Sequence, residues 1–321
     1  EDGSPVTGSY DGWPSAARDL RVLDPCMGSG HFLVFALPIL ARMRMEEEGL
    51  SLKDALAAVL KENLYGLEID ARCAQIAAFH LALAAWRMAG GHFPLPELNL
   101  ACSGLGIHAS VDDWVRLAGE DGLAREEMRR LYSLFKDAPT LGSFIDPLRL
   151  KTTVYSAGAE HVLPLIEEAL AQEQSEETRE LAIAAQGVLA AFRILASRFT
   201  LVTTNVPYLG RGKQDETLAK YCAEFHSDAK ADLATCFVDR CLRFARDGGT
   251  VALVTPQNWL FLTSYRKLRE RLLKEVQWDF VARLGEHAFD SPAAAGAFAA
   301  LLGLTRRAPA PEHTFAGWDV T

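Results

Sequence analysis

The stretch "LRVLDPCMGSGHFLVFALPILARMRMEEE", residues 20–48, joins a short apolar run to a long helical pattern through a turn that holds two glycines. "LRVLDP" reads as a buried strand, closed by the acid Asp24. Gly28 and Gly30 allow backbone angles that other residues resist, and they let a ligand approach the main chain closely. The helix N-terminus beyond the turn favours negative groups. Two phosphate-binding patterns are missing. GxGxxG fails because Leu33 stands where its third glycine belongs, and GxxxxGK[ST] has no match. An acid at the strand's end suits a positively charged ligand end, such as an amino acid's ammonium group, better than a pyrophosphate.

The same strand–turn–helix order recurs. "NLYGLEID" (63–70) precedes "ARCAQIAAFHLALAAWRMA", and "TLVTTNVP" (200–207) is followed after a loop by "ADLATCFVDRCLRFARDGG". "GTVALVTP" (249–256) precedes "SYRKLRERLLKEV". This alternation predicts a parallel sheet with helices on both faces. Such sheets bind ligands beyond the carboxyl ends of their strands. The four strands end there in Asp24, in Glu68 and Asp70, in Asn205, and in the Gln257–Asn258–Trp259 group. Residues 106–200 break the alternation with amphipathic helical patterns of mixed charge, and read as a helical packing insertion. In the tail, "DFVARL" and "GAFAALLGLTR" read as two more strands, joined by a loop that permits antiparallel pairing.

Composition narrows the function classes. The chain has 321 residues, 49% hydrophobic and 23% charged, with a formal net charge of −9. That balance argues against a free-standing, tight nucleic-acid binder, which needs clustered Lys and Arg. Cysteines 26, 73, 102, 222, 236 and 241 form no CxxC pair and no metal spacing, so reduced, buried thiols in a cytoplasmic protein are expected and a metal is not. The longest apolar run, "FLVFALPIL", is too short to span a bilayer. The first residue is not Met and the end is polar, so the chain reads as part of something larger.

Two strand ends point to chemistry. An acid at the tip of the second strand, here Glu68 with Asp70 nearby, can accept hydrogen bonds from a ribose; with the glycine turn upstream this fits an adenosine-bearing ligand. The end of "LVTTNVPYLGRGKQ" (201–214) suits an sp² amine. Such an amine is a poor nucleophile because its lone pair is delocalised. Acceptors for both N–H groups favour the pyramidal nitrogen of the transition state. The Asn205 side chain supplies one acceptor and the Val206 carbonyl a second. Pro207 confines Val206 to extended angles, and Tyr208 offers a face for stacking. On this reading position 206 contributes only its carbonyl, and proline there should be tolerated.

"DPCMGSGHF", "YGLEID" and "TNVPY", in that order, resemble the motifs of amino-methylating DNA methyltransferases. The likeness is strongest to the gamma-class adenine-N6 enzymes of bacterial restriction–modification and bacteriophage-exclusion (BREX) systems. It implies a Rossmann-like, seven-stranded sheet, mostly parallel with the last strand antiparallel, carrying an inserted helical subdomain. It implies a cofactor-binding half over 1–105, an insertion over 106–200 and a catalytic half over 201–321. It also implies S-adenosyl-L-methionine as cofactor. Asp24, Pro25, Cys26, Gly28, Ser29 and Gly30 would line the methionine part, Glu68 would hold the ribose, and Ile69 would lie against the adenine. Asn205, Val206, Pro207 and Tyr208 would hold the target amine, with Phe289 of "LGEHAF" as a second aromatic. The implied partners are duplex DNA, through a recognition domain outside this chain, and nuclease or defence-complex subunits, with no membrane.

Three departures stand out. Val206 replaces the usual proline. Ser103 stands where an acid often touches the cofactor's adenine. The helix usually preceding the glycine turn is absent or very short. The same loop chemistry also serves methylation of protein glutamine or of guanine in RNA, and Val206 leaves room for a cofactor-binding scaffold without catalysis.

Overall fold

The computed structural model describes residues 12–149, 164, 176–285 and 298–320. Its centre is β1 (Val22–Asp24), three residues long and buried throughout. β1 pairs in parallel with β2 (Leu64–Glu68) on one side and β4 (Phe199–Asn205) on the other. β3 (Asn99–Cys102) extends the sheet beyond β2, and β5 (Ala245–Pro256) extends it beyond β4. β7 (Ala299–Thr305) runs antiparallel between β5 and β6 (Gln277–Gly285).

The mostly parallel sheet with an antiparallel seventh strand matches the expectation. The count differs, because an eighth strand, β8 (Ala316–Asp319), pairs in parallel with β6 at the sheet's edge. Its four residues are all exposed, so no buried face marks it in the sequence.

Successive β1 side chains enter opposite layers, as strand geometry requires. Val22 packs with α1 (His31–Glu48), α2 (Leu52–Glu62) and α3 (Ala71–Met88). Leu23 packs in the other layer with Val202, Val251, the helix Leu233–Phe244 and the helices that lie between β3 and β4. Those helices include Val111–Arg116, Gly122–Phe135, Ala138–Leu141 and Glu176–Leu195. "DDWVRLAGEDGLAREEMRRLYSLF" is broken in two because Asp121 caps a new helix, accepting the N–H groups of Leu123 and Ala124 at 2.9 Å. The two pieces are locked together by the buried Trp114, whose indole N–H donates to the Met128 carbonyl at 2.9 Å. No helix among the described residues is long and apolar enough to cross a membrane.

The β4–β5 ladder continues past the end of β4. Val206 donates its N–H to the Val254 carbonyl at 3.3 Å, and its side chain is 2% exposed within the core. Position 206 therefore contributes more than a carbonyl, and this corrects the expectation that its side chain is dispensable. Valine fills a core site and supplies a donor that proline lacks. Val206→Pro should lower stability by about 1–3 kcal/mol, through the orphaned Val254 carbonyl and altered packing. An unchanged urea midpoint for that variant would show that neither contact contributes.

Candidate active site

The parallel register brings the singled-out strand ends to one edge of the sheet. Asp24 lies level with Gly66 of β2, and Leu23 with Val202 of β4, three residues before Asn205. Asp24 is 1% exposed and its carboxyl is pushed up to about 7, chiefly by burial. The Thr204 hydroxyl and the Cys26 N–H, which donates to Oδ1 at 3.1 Å, oppose that shift; the nearby Glu68 adds to it. A buried acid with this affinity for a proton is suited to a cationic ligand end, which would hold it ionised.

The glycine turn is shaped by two left-handed residues. Gly30, at φ 84°, caps α1, and a Cβ there would sit 3.0 Å from the Ala77 Cβ of α3. Gly28, at φ 52°, faces open space, since nothing lies within 4 Å of where its Cβ would be. Here the missing side chain leaves bare backbone accessible. Pro25 is buried. Cys26 is half-buried, and burial pushes its thiol up. Ser29 pairs its hydroxyl with His31 Nδ1 at 3.0 Å and accepts at its carbonyl from His80 Nδ1 at 2.9 Å.

Glu68 and Asp70 have different employments. Glu68 reaches across to the turn, where Oε2 accepts the Gly28 N–H at 2.8 Å. Its Oε1 accepts the N–H groups of Ile69 at 2.9 Å and Asp70 at 3.1 Å. A carboxylate has about four acceptor sites, so Oε2 retains capacity for a further donor. Asp70 instead caps α3, accepting the Arg72 N–H at 2.9 Å and pairing with its guanidinium at 2.6 Å. Arg72 holds the Asp70 carboxyl down to about 2. Ile69 remains 45% exposed, and Gly104 and Gly142 both leave room for its side chain.

Ser103 stands apart from the accessible surface. It is fully buried, its N–H donates to the Glu68 carbonyl at 2.7 Å, and its hydroxyl meets Ser143 Oγ at 3.3 Å. Ser143 in turn donates to the Pro25 carbonyl at 2.6 Å. Sequence reasoning missed Ser143, which lies in the helical excursion and carries no local motif. Arg240 supports it from the opposite side, donating to the carbonyls of Ser143 at 2.9 Å and Ile145 at 2.7 Å.

The β4 end presents Asn205, Pro207 and Tyr208 at the surface, with Val206 buried beneath them. Burial, followed by the Asp232 charge, pushes the Tyr208 hydroxyl up to about 12, so the ring is neutral near pH 7. Downstream, the loop is pinned. Leu209 accepts from the Leu233 N–H at 3.0 Å and from the Gln214 side chain at 3.1 Å, while Arg211 donates its N–H to the Ala231 carbonyl at 3.0 Å. Phe289 lies outside the described residues.

Comparison with known proteins places the chain among methyltransferase relatives. The family model of the Eco57I restriction-modification methylase matches residues 62–289, and that of the MmeI DNA-methyltransferase domain matches residues 15–93. The adenine-specific methyltransferase BrxX of Escherichia coli is 31% identical over an alignment of 294 residues that covers 85% of this chain and 24% of that protein. The adenine-specific methyltransferase PglX of Lacticaseibacillus casei is 28% identical over 283 residues, 85% of this chain and 22% of that protein. The chain thus spans less than a quarter of the length of these two relatives. Among solved structures, a nuclease-deletion mutant of the Type ISP restriction-modification enzyme LlaGI, in complex with a DNA substrate mimic, covers 94% of this chain and 22% of its own, with TM-score 0.55 and 13% identity. The Type IIL enzyme MmeI in complex with DNA covers 94% of this chain and 33% of its own, with TM-score 0.52 and 13% identity. At that identity the structural likeness establishes the fold alone. On the strength of the family match across most of its length, the chain belongs to the Eco57I restriction-modification methylase family.

Proposed function

We propose that the protein transfers a methyl group from S-adenosyl-L-methionine to the exocyclic N6 amine of adenine in DNA, within a restriction–modification or phage-defence system. The observation that carries the proposal is the convergence, at one sheet edge, of a buried acid, an open glycine turn, a ribose-height carboxylate and the Asn205–Tyr208 loop.

The residues fit the cofactor. Gly28 leaves space against bare backbone, Asp24 suits a positive end, Glu68 Oε2 can accept a ribose hydroxyl, and the exposed Ile69 offers an apolar face to the adenine. Ser103 acts at one remove, with Ser143, by fixing the Pro25 carbonyl. When bound, the cofactor supplies an electrophilic methyl group on a sulfonium.

The protein's own part is then positioning and charge placement. Asn205 Oδ1 and the Val206 carbonyl accept the two N–H groups of the amine and draw its nitrogen toward a tetrahedral shape. Tyr208, neutral near pH 7, stacks on the base, as Phe289 would from the other side. The proton leaves only after the methyl has transferred, so no tuned general base is required. DNA reaches the site through a recognition domain outside this chain, with nuclease or defence-complex subunits as further partners.

Three measurements test this reading. Asn205→Ala should lower the rate of N6-methyladenine formation by about a hundredfold or more, with cofactor binding unchanged. Near-normal methylation by that variant would remove Asn205 from the chemistry. Glu68→Ala should weaken S-adenosylmethionine binding by about 1.5–3 kcal/mol in calorimetry. Asp70→Ala should leave affinity nearly untouched while costing about 1 kcal/mol of stability through the lost α3 cap. Equal affinity losses would mean the ribose is held differently.

Affinity should also depend on pH through Asp24. Its folded pKa is raised to about 7. Below that pH the ligand-free site holds a proton that a cationic ligand must expel, so binding should weaken about tenfold per pH unit and level off above it. The same group favours the ligand-free fold at low pH, and that contribution disappears as pH rises through about 7. Asp24→Asn should flatten both profiles. A wild-type affinity that is constant from pH 5.5 to 8 would refute the assignment.

A further inference from the structure

Beside the Asn205 loop, the turn after β5 holds two large apolar side chains in solvent. Phe261 is 59% exposed and Leu262 is 49% exposed. The turn beneath them is built rigidly. Trp259 is fully buried, and its indole N–H donates to Thr255 Oγ1 at 3.1 Å. The N–H groups of Phe261 and Leu262 donate to the Asn258 carbonyl at 3.1 and 3.0 Å. Arg269 clamps the turn from below, donating to the carbonyls of Trp259 at 2.6 Å and Leu262 at 2.7 Å. Such a clamp keeps the two side chains from folding back onto the core.

Placement and charge indicate what the tip meets. β4 and β5 are parallel with Asn205 opposite Val254, so the turn leaves the sheet on the same edge as the Asn205–Tyr208 loop. Asp232 bridges to Gly210 beyond the Asn205 loop, and its charge adds to the burial that raises both Tyr208 and Tyr265. The Arg283 guanidinium lies 5.3 Å from the Phe261 ring centroid. Lys267 is exposed on the helix that follows, and Arg266 beside it pairs with Glu270, while Arg271 and Arg283 are engaged by Asp228, Asp239 and Asp319. On the Asn205 side, Arg211 and Lys213 are exposed. An apolar tip with the exposed cations Arg211, Lys213 and Lys267 near it, at the edge of the proposed methylation site, matches a polyanion whose interior is apolar.

The geometry points to Phe261 and Leu262 as a preformed contact for opened duplex DNA, covering the base faces that lose their stacking partner when the target adenine leaves the helix. The inference rests on the proposed adenine methylation. Extruding a base exposes its neighbours, and an apolar or aromatic side chain against an unstacked base recovers part of that loss. The surrounding cations would meet the flanking phosphates. The contact would lower the cost of opening the helix rather than take part in methyl transfer.

The test compares Phe261→Ala with wild type in the intact protein on two duplexes. One is a duplex that the wild type methylates, with its target adenine paired to thymine. The other is the same duplex with an abasic position opposite that adenine, so that extrusion is already eased. On the paired duplex kcat/KM should fall about tenfold or more, from the stacking lost. On the abasic duplex it should fall less than about threefold. S-adenosylmethionine affinity and the unfolding midpoint should not move, and Phe261→Trp should restore the rate. Equal losses on both duplexes, or no loss on the paired one, would overturn the contact. A wild-type protein that binds the cofactor yet methylates no DNA would instead fail the proposed function, and this contact with it.

Discussion

The parallel pairing of β1 with β2 on one side and β4 on the other is the constraint on which the rest of the structure depends. β1 is only three residues long and has no free edge. Val22 and Leu23 anchor opposite layers of core, so a slip of one residue would exchange the layers as well as the register. Asp24, Glu68 and Asn205 come from segments far apart in the chain. They reach one edge because this short strand fixes two neighbours at once. The turns at that edge contribute little to the alignment and inherit it.

Three acids, Asp24, Glu68 and Asp70, crowd this edge. Asp24 is buried, and burial chiefly raises its affinity for a proton, with the nearby Glu68 adding to it. Glu68 is restrained by three backbone N–H groups, from Gly28, Ile69 and Asp70. Asp70, its neighbour by two residues, is drawn away to cap α3 and pair with Arg72. Two acids with nearly the same address thus do different work, one organising a turn and the other a helix. A ligand bearing positive charge would relieve the Asp24 side of this arrangement, the usual logic by which perturbed groups mark sites.

The helices between β3 and β4 are more than a covering layer. The loop Gly142–Asp146 sends the Ser143 hydroxyl to Pro25 beside the glycine turn. Arg240, fully buried on the helix Leu233–Phe244, holds the Ser143 and Ile145 carbonyls of that loop and lies 3.4 Å from Asp146. A chain of contacts therefore joins the helix Leu233–Phe244, whose first N–H donates to the Leu209 carbonyl, to the glycine turn. Losing either end would loosen both, since each member is buried and has few alternatives.

The sequence by itself determined the strand–helix alternation, the parallel sheet, and the standing of Asp24, Gly28, Gly30, Glu68 and Asn205 at strand ends and turns on one sheet edge. Each is local: apolar runs of strand length, glycines at a turn, and an asparagine before a proline-restricted residue are visible without knowing what lies across the fold. Only the tertiary structure decided the rest. It divided labour between Glu68 and Asp70, because capping depends on the direction in which α3 leaves its strand. It buried Ser103 and recruited Ser143, because hydroxyl partners 40 residues apart leave no pattern along the chain. It added β8, a strand with no buried face. It also gave Val206 a core site and a ladder bond, since the depth of a side chain and the reach of an N–H are set by neighbours that β5 brings alongside.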